Sequence, residues 1–192
     1  MDIYLIRHTP VATAPGICYG RSDVAVAATY PEDAASVRAR LASVLDAGPV
    51  AVHASPLRRC QQLAEALAPQ SVRLDSRLME YNFGRWELLP WAAVPAPERE
   101  QWKADFVNLP APDGETFQGL QDRATEFLTD VLASAAPQVP LLIVSHSAVI
   151  RSLICYCLGL PLSQAFRFDV DYGSITKVRY QQGQLQVAYI NG

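Results

Sequence analysis

LLIVSHSAVIRSLICYCLGLPL, from Leu141 to Leu162, admits two readings. Its length would suffice to cross a bilayer. His146 and Arg151 stand in its middle, however, and an arginine in hydrocarbon is costly on every scale. The better reading is a buried strand at Leu141–Val144, a tight turn through Ser145 and His146, and a buried helix over Ser147–Leu158. Strand, polar turn and helix in that order are the repeating unit of an α/β protein.

Working outward, the same layout occurs twice more. IYLI (Ile3–Ile6) is a short apolar run rich in branched and aromatic residues, and Arg7-His8 follows it. VAVHA (Val50–Ala54) is a second such run, followed by Ser55-Pro56-Leu57-Arg58-Arg59. Ser55 and Pro56 suit an N-cap and first helical position, which predicts a helix from there to about Pro69. Further helices are predicted over Pro31–Asp46, with Pro31 and Glu32 in the first turn, and over Phe117–Ala135. Val72–Leu74 suits a short strand, and SITKVRY, QQGQ, LQVAYI reads as a hairpin at the end of the chain. Strands alternating with helices predict a three-layer α/β/α sandwich around a largely parallel sheet.

Composition agrees with one such domain. The chain has 192 residues, of which 50% are hydrophobic and 18% charged, below the roughly 25% charged of average domains. That excludes a disordered chain. A formal charge of −3 and the lack of a Lys/Arg run argue against a nucleic-acid surface. Cys18, Cys60, Cys155 and Cys157 show no CxxC spacing, and Asp2 follows Met1 without an apolar leader. Both features lead us to expect a cytoplasmic protein with free thiols. Cys155 and Cys157, two apart on a helix, should point to different faces and serve packing. Residues 1–192 are read as a single domain. Tyr81–Pro112, irregular, proline-rich and containing all three tryptophans, is read as a substrate-covering insertion with a short helix near Glu98–Val107.

In open α/β sheets ligands bind beyond the carboxyl ends of the strands. Three strand ends would bring Arg7, His8, Arg59 and His146 to one rim. That is a positive cluster on an acidic protein, and it calls for an anion, phosphate foremost. Arg59 in the first turn of a helix opposes the helix dipole by roughly 0.3–1 kcal/mol, a conflict that a bound anion would remove. Arg58 beside it is expected to be solvated, and His53, inside its strand, a core histidine. No metal or other cofactor is expected, since the three histidines lack ligand spacing.

These residues fall in motifs that resemble the histidine phosphatase, or phosphoglycerate mutase-like, superfamily. LIRHTP resembles its Leu-x-Arg-His-Gly opening, and SPLRRCQQLAEAL its Ser-Pro-Leu-x-Arg helix start, with the family arginine on Arg59. LMEYNFGRWE resembles the segment carrying the family acid, here Glu80. IVSHSAVIRSLI resembles the segment of the second histidine, and PDGETF a helix lead-in. Thr9 stands where Gly is usual, Pro10 where Glu or Gln is, Ala14 near a phosphate-binding Asn position, and Leu63 at a helix Thr.

The resemblance implies a metal-free phosphatase with His8 as nucleophile and Arg7, Arg59 and His146 as phosphate ligands, His146 being protonated when phosphate is bound. Glu80 is implied as the acid, because Ser147 follows His146 where the acid phosphatase branch carries Asp. Without the family pattern, Glu80 reads as a loop carboxylate paired with Arg77 or Arg85. IRHTPV, CYGRSDVAV and NFGRWE look most like α-ribazole phosphatases, which implies α-ribazole 5′-phosphate as the small phosphorylated substrate. Tyr19, Gly20, Arg21 and Ser147 are the expected substrate contacts. Trp86, Trp91 and Trp102 either stack on the base of that substrate or simply close the insertion. The alternatives are another phosphatase or mutase on the same scaffold and a non-catalytic phospho-ligand binding module. Neither a membrane nor a nucleic acid is expected as partner, and the oligomeric state is left open.

Overall fold

The computed structural model describes residues 1–69, 72–134, 136 and 138–192. Six strands form one sheet in the order β3-β2-β4-β1-β5-β6. They are β1 (Asp2–Arg7), β2 (Ala51–Ala54), β3 (Val72–Leu74), β4 (Leu141–Ser145), β5 (Ile175–Gln181) and β6 (Gln184–Tyr189). The first four pair in parallel, and β5 and β6 add antiparallel at one edge. Gln182 and Gly183 both take positive φ, 51° and 79°, as a two-residue hairpin turn requires.

Alternation along β1 builds the two cores. Ile3 and Leu5 face one cluster with α5 (Phe117–Ser134) and α6 (Ser147–Leu158), through Phe117, Phe127, Ile150 and Leu153. Tyr4 and Ile6 face the other, with α1 (Tyr30–Arg40) and α3 (Arg58–Leu67), through Val37, Leu41, Leu63 and Leu67. Helices on both faces of a mostly parallel sheet are the expected three layers. Every residue of β4 is buried, as suits a strand covered on both sides. Leu141–Leu162 thus becomes β4, a turn and α6, and among the described residues no helix is long and apolar enough to cross a membrane. Cys155 is buried and Cys157 half-buried, and both pack with the core cluster between the sheet and α5.

Three helix boundaries differ from expectation. The helix predicted over Pro31–Asp46 breaks at Leu41 into α1 and a single turn, α2 (Ala42–Leu45). α3 begins at Arg58 rather than Pro56, because the Ser55 hydroxyl accepts the Leu57 N–H at 3.3 Å and also faces His146. The insertion helix, α4, runs Ala96–Ala104 rather than Glu98–Val107. The expected last residue of α5, Ala135, lies outside the described residues.

The insertion is zipped to the loop after β1 by backbone bonds: Cys18 N–H to the Leu89 carbonyl at 2.9 Å, Leu88 N–H to Cys18 at 2.6 Å and Trp91 N–H to Gly16 at 2.7 Å. Its tryptophans pack on one another, with ring centroids 6.0 Å apart for Trp86–Trp91 and Trp86–Trp102 and 5.7 Å for Trp91–Trp102. Trp86 is buried and donates its indole N–H to Glu98 at 3.2 Å, and Trp102 donates to Tyr81 at 3.1 Å. Of the two readings of these rings, closure of the insertion is the one the packing follows.

Candidate active site

Strand register assembles the rim. Arg7 pairs with Ser145 across β1 and β4, the His8 N–H donates to the Ser145 carbonyl at 3.0 Å, and the Ser55 N–H to that of Val144 at 3.0 Å. Three strands therefore end level, and Arg7-His8, Ser55 and His146 emerge together. The His8 and His146 rings lie 5.1 Å apart, T-shaped. Both residues are buried, at 1% and 0% exposure, as is Arg59 at 0%.

His8 Nδ1 lies 2.8 Å from the Thr9 carbonyl oxygen. A carbonyl only accepts, so the proton sits on Nδ1 and Nε2 keeps its lone pair. Burial, then the charges of Arg59 and Arg7, hold the His8 pKa well below 6.5. The ring is therefore neutral near pH 7 and its Nε2 lone pair is free. Burial and Arg59 likewise depress His146. Its Nε2 meets Ser55 Oγ at 2.8 Å and Cys60 Sγ at 3.4 Å. His146 is therefore neutral near pH 7, and the protonated form implied by the family resemblance needs a negative charge beside the ring.

The two arginines are held from behind. Arg59 Nη1 donates to the Ser22 carbonyl at 2.9 Å and Nη2 to that of Gly20 at 2.6 Å. Arg7 Nη1 donates to the Val170 carbonyl at 2.6 Å, and its guanidinium lies 3.7 Å from the centre of the Tyr172 ring. Among the described residues neither pairs with a carboxylate. The Nε of each, with the Thr9 hydroxyl, is buried and has no partner. Backbone carbonyls only partly offset the cost of taking a guanidinium out of water, and an anion would complete the offset. Such an arrangement can take up an anion through charge-assisted hydrogen bonds.

Glu80 stands at the start of α6. Its Oε1 accepts the Tyr81 N–H at 2.9 Å and its Oε2 the Ala148 N–H at 3.4 Å. Burial nevertheless outweighs these bonds and the two arginines and raises the carboxyl pKa above 4.5. Pairing with Arg77 or Arg85 is excluded, since Arg77 bridges Asp75 and Asp130 at 2.8 and 2.7 Å and Arg85 meets Asp113 at 3.2 Å.

The expected substrate contacts divide. Tyr19 borders the site, 6.5 Å from His8 between ring centroids, and its hydroxyl meets that of Tyr172 at 2.8 Å. Gly20 supports Arg59 from behind and has φ +35°; a Cβ there would stand 2.2 Å from Glu87 Oε1 and 2.5 Å from the Tyr81 carbonyl. Arg21 turns away, its guanidinium bound to Glu115 at 3.1 Å and the Glu80 carbonyl at 3.2 Å. Ser147 opens α6, and its hydroxyl accepts Arg151 Nε at 3.1 Å. Arg58 is exposed beside Asp23, and His53 lies in mid-strand against Phe127, 5.3 Å away, apart from the rim. Tyr172, in the chain just before β5, is a site neighbour with no signature in the sequence, whereas Ser55 and Cys60 belong to the segment after β2 that the sequence already marks. Among the described residues no group of three or more His, Cys, Asp or Glu is placed to hold a metal ion.

Comparison with known proteins agrees with this geometry. The model of the histidine phosphatase superfamily (branch 1) matches residues 3–192. The probable phosphoglycerate mutase GpmB of Yersinia enterocolitica is 32% identical over 190 residues, covering 95% of this chain and 86% of that protein. Among solved structures, the α-ribazole phosphatase of Shigella flexneri superposes with a TM-score of 0.87 at 26% identity, over 100% of this chain and 96% of that one. A mycobacterial glucosyl-3-phosphoglycerate phosphatase shares the fold, with a TM-score of 0.86 at 21% identity over 100% of this chain and 98% of that one. Matched from residue 3 almost throughout its length, the chain belongs to the histidine phosphatase superfamily.

Proposed function

We propose that this enzyme hydrolyses phosphomonoesters through a phosphohistidine on His8, with α-ribazole 5′-phosphate as its substrate. The observation that carries the chemistry is the neutral, buried His8 between two arginines whose Nε groups lack partners. In the first step the Nε2 lone pair forms the N–P bond in line with the ester oxygen, and the P–O ester bond breaks. Arg7, Arg59 and the phosphate-charged His146 hold the non-bridging oxygens through the transition state. The Glu80 carboxyl gives its proton to the leaving alkoxide. In the second step water attacks phosphorus, the N–P bond breaks, and the water proton returns to the Glu80 carboxylate. The raised carboxyl pKa supports that role.

The α-ribazole assignment is supported by the Shigella flexneri structure at 26% identity and by the loop and insertion motifs. A phosphoglycerate mutase activity is the second reading, favoured by the curated relatives at 30–32% identity that carry that name. In either case residues 1–192 act as one domain, with the insertion over Tyr81–Pro112 bordering the substrate, and the enzyme works in the cytoplasm.

The test is phosphate release from α-ribazole 5′-phosphate in excess EDTA, comparing wild type with His8→Ala. Efficient turnover that the substitution abolishes supports both the metal-free histidine mechanism and the substrate. Refusal of this ester, with interconversion of phosphoglycerates, favours the mutase. Equal activity in the two proteins would remove His8 as nucleophile.

A further inference from the structure

Glu80 lies in irregular chain between two single 3-10 turns, Ser76–Leu78 and Gly84–Trp86, so no helix or sheet ladder satisfies its backbone. Its carbonyl oxygen is instead met by two guanidinium groups, Arg21 Nε at 3.2 Å and Arg123 Nη2 at 3.1 Å. Arg123, from α5, also donates Nη1 to the carbonyls of Arg77 and Met79, at 2.6 Å each. A single carboxylate ties the two cations together. Glu115 Oε2 accepts from Arg21 Nη2 and from Arg123 Nε, both at 3.1 Å. Glu115 Oε1 accepts from Arg123 Nη2 at 2.7 Å and from the Asn82 N–H at 2.8 Å. The Arg123 and Glu115 side chains are only 15% and 16% exposed.

Partly buried ion clusters of this kind bring little net stability, because desolvation offsets the Coulomb gain. What this one supplies is direction. Three carbonyls within four residues are pinned from one side, and the Glu80 carboxyl is thereby left facing the start of α6. We infer that Arg21, Arg123 and Glu115 are positioning residues for the proton-transfer carboxyl: a sling that fixes the Glu80 backbone without touching the phosphate. The inference rests on the acid role proposed for Glu80.

An ester with a poor leaving group needs the proton from Glu80, whereas p-nitrophenolate leaves without it. The readout is therefore kcat/KM, which reports the phosphorylation step, on p-nitrophenyl phosphate and on α-ribazole 5′-phosphate, or on the best primary alkyl phosphate if that ester is refused. Arg21→Met, which leaves the Arg123–Glu115 pair intact, should lower kcat/KM about 10-fold on the alkyl ester and less than about 3-fold on the nitrophenyl ester, since small displacements of an acid can cost up to about 100-fold. Arg21→Lys should restore most of the loss. Glu80→Gln is the control and should show the same selectivity more strongly. If Glu80→Gln slows both esters equally, the acid role falls and the sling with it. If Glu80→Gln is selective but Arg21→Met slows both equally, or neither, the sling alone falls. Should Arg21→Met not fold, Arg123→Lys is measured in the same way, with the same outcomes deciding.

Discussion

The rim of the sheet and the tryptophan-bearing insertion face one another across the loop after β1, and they are built on opposite rules. In the insertion, the three indoles are packed ring against ring, and those of Trp86 and Trp102 donate to Glu98 and Tyr81. At the rim, Arg59 is buried and Arg7 half-buried, neither pairs with a carboxylate among the described residues, and each keeps a buried Nε without a partner. The first arrangement lowers the energy of the folded chain and leaves nothing over. The second raises it, and an anion bound there would bring it down again. The tryptophans are thus poor guides to this site, and unmatched polar atoms are good ones.

Substitutions can break or sharpen that contrast. The largest effect is expected at Arg59. Arg59→Ala should lower kcat/KM by about 1,000-fold, because a preorganised charge on the transferring phosphoryl group is lost. Thermal stability should fall less than the loss of so large a buried side chain would suggest, since removal of a cation without a carboxylate offsets part of the cavity and of the Ser22 and Gly20 carbonyls left without a donor. A large loss of melting temperature with activity retained would reverse the contrast.

Trp86→Ala should do the opposite. It should cost about 3–5 kcal/mol of stability in denaturant titration, as truncation of a buried indole does. Its kcat/KM in the cold should change by less than about 3-fold. A change of substrate preference would instead bring the insertion into contact with the substrate.

Tyr172→Phe removes the bond to Tyr19 but keeps the ring under Arg7. We expect a loss of no more than about 5-fold in kcat/KM, within the roughly 1 kcal/mol of one neutral hydrogen bond. Tyr172→Leu, which also removes the cation–π contact, should cost distinctly more. Equal losses would mean that the stacking does not hold Arg7.

The smallest effect is on stability against pH. His8 and His146 have folded pKa values well below 6.5, so the unfolded chain binds more protons as pH falls through that value. Stability should decline from pH 7 to pH 5.5, and inorganic phosphate should flatten the decline by stabilising the charged imidazoles. The raised Glu80 pKa acts with the opposite sign above pH 4.5, where the unfolded chain gives up its proton first. Melting curves of wild type and Glu80→Gln across this range separate the two contributions.

Much of this was legible residue by residue. The apolar runs at Ile3–Ile6, Val50–Ala54 and Leu141–Val144 mark buried strands because only a two-sided sheet can absorb them. The polar residues directly after them mark the rim, since a strand end is where polar groups reach a ligand. Less legible was anything set by contacts distant in sequence. Ser55 reads as a helix cap, but its hydroxyl faces His146, 91 residues away. Arg21 reads as a substrate contact, but its guanidinium binds Glu115, 94 residues away. The break at Leu41 has no local signal, since nothing in that run forbids a continuous helix.

The sequence alone determined the α/β class, the order of the elements and the identity of the charged residues at the strand ends. Periodicity and local turn chemistry act over a few residues, and those features need no more. Tertiary structure alone decided which charges stay unmatched, which tautomer His8 holds, how far burial lifts the Glu80 carboxyl, and that three tryptophans pair with one another. Each of these depends on desolvation and on partners supplied by strands, loops and helices that meet only once the chain has folded.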